Sequence, residues 1–234
     1  MVPELPIPSH FDGARTGEIW RVDYANRAPE AEAWAETHGI GHPSDDDPRI
    51  GLLLVDCQNT FCIPGYELFV AGRSGRGAVD DNTRLCSFIY RNLDVVTEIT
   101  ATLDTHTALQ IFHPVFWVDE DGDHPVGGQT EITLADVEEG RWCPNPAVAD
   151  SLAGGDVEWL RKYARHYVRR VTEGRYPLMV WPYHAMLGSI GHALVSAVDE
   201  AVFFHSIARQ TAARFEVKGG TPLTENYSVL SPEV

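Results

Sequence analysis

Ile50-Gly51-Leu52-Leu53-Leu54-Val55-Asp56-Cys57-Gln58-Asn59-Thr60-Phe61 is an apolar run without helical period that ends abruptly in a carboxylate. A continuous Leu/Leu/Leu/Val stretch bounded by polar residues is what a parallel strand covered on both faces looks like, because crossover helices flank such a strand. The reading is a strand over residues 50–56, central in its sheet, with Asp56 at its tip. Ligands of open α/β sheets collect at the carboxyl ends of the strands, so Asp56 stands where chemistry is expected. A plain turn residue after a strand would look the same.

Outward from that strand the pattern alternates. Residues 78–92 carry Val79, Leu85, Phe88 and Ile89 at helical spacing, with Asp80 and Asp81 in the first turn, and predict a crossover helix. Residues 99–103 are β-rich and end in Asp104, a second strand tip bearing a carboxylate. Residues 178–181 read as a strand before His184. Residues 188–207 read as a helix with Leu194, Val195, Val198, Val202 and Phe203 toward the core and His192 and His205 as structural histidines. Residues 213–217 form a short strand leading into Lys218-Gly219-Gly220, where the glycines permit close backbone approach. The glycine-rich stretch from Gly65 to Gly77 lacks the spacing of a phosphate cradle and reads as a loop.

At 234 residues and 44% hydrophobic content, the chain suits one globular α/β domain with a substantial core. A net charge of -16 opposes nucleic-acid binding, which depends on Lys and Arg neutralising phosphates. No stretch approaches the roughly 20 apolar residues of a membrane helix, and the N-terminus lacks a signal pattern. The expectation is a soluble, cytoplasmic protein acting on a small molecule. Cys57, Cys62, Cys86 and Cys143 have neither metal-ribbon nor C-x-x-C spacing and are expected as reduced thiols.

Residues 1–49, with Pro3, Pro6, Pro8, Pro29, Pro43 and Pro48, read as a wrapping extension with one helix at 29–38, and Trp20 and Trp34 as packing residues. Residues 114–175 read as an insertion. It holds an acidic stretch at 131–139, a break at Cys143-Pro-Asn-Pro146, His124 in a loop, and a helix at 157–175. That helix carries Arg161, Lys162, Arg165, Arg169, Arg170 and Arg175, taken as a solvated charged face.

Asp104 and His106, two apart at a strand end, supply one oxygen and one nitrogen donor. His113 lies seven residues on, and His184 follows a strand. A carboxylate with two or three imidazoles suits Zn²⁺, Fe²⁺ or Mn²⁺.

Four segments occur in order: Asp56-Cys-Gln-Asn-Thr-Phe61, Leu103-Asp104-Thr-His106, Trp181-Pro-Tyr-His184 and Phe215-Glu-Val-Lys218-Gly-Gly. Over about residues 50–113 and 176–230 this resembles the isochorismatase-like cysteine hydrolases, the superfamily that includes nicotinamidase. The resemblance implies a three-layer α/β/α fold with a parallel, Rossmann-like sheet, over a domain at 50–234. It implies Asp56 as proton acceptor paired with Lys218, and Phe61 and Trp181 as apolar walls for a flat ring. Asp104, His106 and His184 would be ligands of a divalent metal, with His113 a weaker fourth because the family's further histidine falls one residue earlier. The implied reaction is hydrolysis of a small heteroaromatic amide to acid and ammonia, and the implied assembly is a homo-oligomer.

One departure matters. The family's nucleophilic cysteine follows the lysine well downstream, and none of the four cysteines here matches it. The chain therefore reads as the N-terminal part of such a hydrolase, truncated or completed by a partner segment. Two alternatives are a non-catalytic metal-binding module and a hydrolase in which water, activated by Asp56, replaces the thiolate.

Overall fold

In a computed structural model, which describes residues 4–174 and 176–234, the elements run in chain order as follows. They are α1 (Tyr24–His38), β1 (Gly51–Leu54), α2 (Asn59–Cys62), α3 (Gly77–Arg91), β2 (Glu98–Asp104), β3 (Trp117–Val118), β4 (Glu131–Ile132), α4 (Leu134–Glu138), β5 (Cys143–Pro144), α5 (Ala149–Ala153), α6 (Val157–Gly174), β6 (Leu178–Met179), α7 (Ser196–Arg209) and β7 (Arg214–Lys218). The fold is mixed α/β, built on a parallel sheet in the order β1-β2-β7, with Leu52 opposite Ile99 and Leu54 opposite Ala101. Two compact units divide the chain: Met1–Leu103 with Ile190–Glu216, and Asp104–Ser189 with Val217–Val234.

In the first unit the sheet packs against α3 and α7, and α1 packs on α7. Val79, Cys86, Ile89 and Tyr90 make the buried stripe of α3, and Ala197, Val198, Ala201 and Phe204 that of α7. Burying each large side chain of this set contributes about 1.5–3 kcal/mol. Helix α1 begins five residues earlier than the 29–38 span expected from sequence, because the Asp23 carboxylate accepts from the Asn26 N–H and fixes the start ahead of Pro29. Trp20 and Trp34 pack at the margin of this core.

Two expectations for this unit need correction. Strand β1 has a neighbour on one side only, so it is an end strand of the described sheet rather than its centre. The pleat sends Leu52 and Leu54 toward the core and leaves Leu53 and Val55 53% and 61% exposed. An all-apolar run carries no polar marker of its open face, and so the sequence suggested burial on both sides. The helix expected over 188–207 starts only at Ser196. Before it, the carbonyls of Gly191 and Ala193 accept the N–H groups of Thr60 and Asn59, and Gln58 bridges Leu194. Backbone groups committed to α2 in this way are withdrawn from a helical ladder.

The second unit is built on α6, whose Leu160, Ala164, Tyr167, Val168 and Val171 face Phe116, Trp117, Ile132 and Leu178. Two short antiparallel pairs, β3 with β5 and β4 with β6, close it. Pro144, within the expected break, thus belongs to a strand pair. Thr133 and Asp136 form a capping box at α4. The basic face of α6 is ion-paired locally, Arg161 to Glu158, Arg165 to Glu138 and Arg170 to Glu173, as a solvated face should be. Arg175, assigned to this helix from sequence, lies outside the described residues. His124 is a loop residue on the Trp117 carbonyl. Among the described residues, no helix is long and apolar enough to cross a membrane.

Candidate functional site

Asp104 is the last residue of β2 and Lys218 the last of β7, and the Thr105 N–H bonds the Lys218 carbonyl at 2.9 Å. His106 is held two residues beyond β2 by its N–H on the Ala185 carbonyl, which places it beside the turn carrying His184. Ala185 itself is left-handed, φ 46°, a conformation that costs about 1 kcal/mol or more in a non-glycine residue. One ligand atom each from Asp104, His106 and His184 lies within 4.8 Å of the others, and all three residues are buried.

The hydrogen bonds around this group set its protonation. His106 Nδ1 faces the Gly219 carbonyl at 3.3 Å, and His184 Nδ1 faces the Pro182 carbonyl at 2.8 Å. A carbonyl only accepts, so each Nδ1 carries the proton. Both Nε2 atoms then turn to the same carboxylate oxygen, Asp104 Oδ2, at 2.8 and 3.5 Å. Two imidazole lone pairs against one carboxylate oxygen repel unless protons or a cation stand among them. Carbonyl-anchored Nδ1–H groups are the outer-shell pattern that prepares Nε2 for a metal. Separations of this size suit neighbours on a coordination sphere with bonds of about 2.0–2.2 Å. The donor set therefore fits a divalent ion.

Lys218 Nζ donates to the other oxygen, Asp104 Oδ1, at 3.2 Å, and to the Asn226 carbonyl at 3.1 Å. Burial alone pushes the Asp104 carboxyl up. When protons rather than a cation stand among them, hydrogen bonds donated by the protonated His106 and His184 rings and the charges of His106 and Lys218 outweigh it and hold Asp104 well below the usual carboxylate range. Gly219 makes this packing possible: at φ 83°, a Cβ there would sit 2.7 Å from His106 Cε1 and 3.1 Å from Asp104 Oδ1. Here the close approach expected of Gly219 is to the side chains of His106 and Asp104.

His113 stands outside the three-residue group, its ring centroid 5.9 Å from those of both His106 and His184. Its Nδ1 is on the Ala108 carbonyl at 3.2 Å, and its buried Nε2 has no hydrogen-bond partner among the described residues. Burial, with His184 and His106 adding to it, pushes His113 down to about 4, so the ring is neutral near pH 7. Trp181 donates its indole N–H to Glu225 Oε1 at 2.7 Å. Glu225 is buried and was not singled out by its sequence context: burial, with Asp104 adding to it, pushes its carboxyl up to about 7. No periodicity marks it, since it sits in an irregular segment that only the fold brings to Trp181.

In the first unit, Asp56 follows β1 at φ 52°. Thr102 Oγ1 donates to Asp56 Oδ1 at 2.6 Å and accepts the Asp56 N–H at 3.0 Å. Asp56 and Phe61 line a cavity of about 530 Å³ with Val55, Cys62, Val70 and Ala78. The thiols nearby are not poised as nucleophiles. Burial pushes Cys57 up to about 12, with Cys62 and Asp81 contributing, and burial also raises Cys62 and Cys86.

No protein-family profile and no curated protein matches the chain. Among solved structures it is similar to the yeast nicotinamidase Pnc1p, at 14% identity and a TM-score of 0.43. It is likewise similar to Pnc1p bound to the inhibitor nicotinaldehyde, at 14% identity and a TM-score of 0.42. The match covers 78% of this chain and 62% of either of those chains.

Proposed function

We propose that the chain carries the metal-binding and ligand-binding apparatus of an amide hydrolase of the isochorismatase-like type. Its substrate class is a small, flat heteroaromatic amide, cleaved at the C–N bond to acid and ammonia. The observation that carries this reading is the convergence of His106 Nε2 and His184 Nε2 on Asp104 Oδ2, each imidazole pre-set by a backbone carbonyl. Asp104, His106 and His184 would hold a zinc, iron or manganese ion. Such an ion supplies a Lewis acid for a ring nitrogen or an adjacent water.

The remaining roles belong to this chain's own side chains. Lys218 neutralises Asp104 and places an ammonium beside the cluster. His113 Nε2, buried and neutral, is available to accept from an N–H of the ligand. Asp56 is assigned the proton acceptor on its place in the Asp56-to-Phe61 segment, and Phe61 and Trp181 the apolar walls. A water nucleophile is favoured over a thiolate from Cys57, Cys62 or Cys86 by the burial that keeps those thiols protonated. The test is ammonia release from nicotinamide by the purified chain with zinc, with EDTA and with iodoacetamide. Loss with EDTA and indifference to iodoacetamide are expected. No turnover together with tight zinc binding would establish a metal-binding module instead.

A further inference from the structure

Glu225 is a carboxyl with 6% exposure that makes no ion pair among the described residues. Burying a carboxylate without a counter-ion is costly, and a glutamine could accept one neutral hydrogen bond at lower cost. What the carboxylate adds is a stronger, charge-assisted acceptor. Its Oε1 takes the Trp181 indole N–H at 2.7 Å, and the Tyr227 hydroxyl lies 3.3 Å from the same indole nitrogen. Glu225 is itself fixed, because its N–H and the hydroxyl of fully buried Tyr167 bond at 3.0 Å. The other end of Trp181 is fixed too, its N–H on the Phe112 carbonyl at 2.8 Å. The Phe112 ring lies 4.9 Å from His106 and 6.5 Å from His184, so the anchored indole belongs to the same packed layer as the cluster. A half-exposed tryptophan tied at backbone and indole cannot flip about its outer torsion without breaking the buried bond.

We propose that Glu225, backed by Tyr227, is a positioning residue that locks the plane of the Trp181 ring and thereby makes it a rigid wall for a flat aromatic ligand. The ligand part rests on the functional reading above, and the clamp itself does not. Glu225 acts through Trp181: among the described residues it has no hydrogen bond to the cluster's donors, and it senses Asp104 only through charge. Burial, with the Asp104 charge adding to it, raises the carboxyl to about 7, and donation from Trp181 and Tyr227 opposes that rise and favours the ionised acceptor.

The test uses the full chain, zinc, and nicotinamide as the probe ligand. In nitrogen-15 spectra the Trp181 indole resonance, identified by its loss in Trp181→Phe, is expected downfield and protected from exchange. Glu225→Gln should move it upfield and speed its exchange, with Tyr227→Phe producing a smaller shift in the same direction. Tyr227 is partly exposed, so that variant keeps the test usable if Glu225→Gln folds poorly. Nicotinamide binding should weaken about tenfold in Glu225→Gln, the loss of roughly one charge-assisted bond's advantage, while zinc affinity stays unchanged. An unmoved indole resonance would overturn the proposal. So would a fall in zinc affinity with nicotinamide binding intact, which would place Glu225 among the metal's ligands. A wild-type chain that ignores nicotinamide yet shows the Glu225-dependent indole shift would support the clamp and remove the substrate class.

Discussion

Replacing Asp104 by asparagine keeps the shape of the side chain and removes the charge on which the cluster depends. Asp104 Oδ2 meets His106 Nε2 at 2.8 Å and His184 Nε2 at 3.5 Å, while Oδ1 meets Lys218 Nζ at 3.2 Å. In Asp104→Asn the buried Lys218 ammonium loses a buried counter-charge, a change that costs about 3–5 kcal/mol when one partner is removed. The Asn226 carbonyl still accepts from Lys218, which puts the expectation at about 3 kcal/mol. For a chain of this size that lowers Tm by about 6–12 °C. Because the folded carboxyl titrates below its unfolded value, this contribution is complete above the unfolded pKa near 3.9 and is lost as pH falls. Zinc should behave differently in the two proteins. At about 100 times its Kd, an ion binding only the folded state adds about 2.7 kcal/mol, or roughly 5–11 °C, to the wild type. In Asp104→Asn the amide oxygen is a poor ligand and the zinc-dependent rise should vanish. The assay is calorimetric melting of EDTA-stripped protein with and without zinc. Equal zinc-dependent rises in the two proteins would refute the assignment of Asp104 as the hub of a metal site, as would no rise in the wild type.

Three further outcomes are expected. Gly219→Ala, which puts a Cβ 2.7 Å from His106 Cε1 at a left-handed φ, should weaken zinc binding at least about tenfold and lower Tm; zinc titration at wild-type affinity would show that His106 moves aside freely. Asp56→Asn should reduce amide hydrolysis far more than stability, as read from initial rates beside melting curves; a lowered Tm with intact turnover would make this residue structural. His205, buried with its Nε2 2.8 Å from the Val96 carbonyl, is pushed down to about 4 by burial. The unfolded chain takes up a proton below about 6.5 that the folded chain refuses. Stability should therefore fall as pH drops from about 6.5 to about 4, by roughly 3 kcal/mol at most, and urea titrations should show a smaller pH-dependent loss in His205→Gln. The same loss in both proteins would acquit His205.

How much of this was legible in sequence follows from which constraints are local. The helix at residues 78–92, the strand at 99–103 and the short strand before Lys218 were readable because period and β-branching are properties of consecutive residues, and the structure places α3, β2 and β7 there within a residue or two. Asp104, His106 and His184 could be named as donors because strand tips and imidazoles are visible in the chain. Their convergence depended on separations of 2 and 78 positions that no local rule measures, and on carbonyls of Gly219 and Pro182 that have no sequence signature. The end-strand place of β1 was hidden because Leu53 and Val55 are apolar whether or not anything covers them. The late start of α7 was hidden because residues 188–195 give their carbonyls to α2 rather than to themselves. Glu225 was invisible for the same reason at the site: nothing within its own segment distinguishes it, and only the fold sets its carboxylate against the indole of Trp181. Sequence by itself determined which residues are chemically able to act. The tertiary structure decided which of them share a dielectric, a proton and a common oxygen, because those interactions decay over a few ångströms of space and not along the chain.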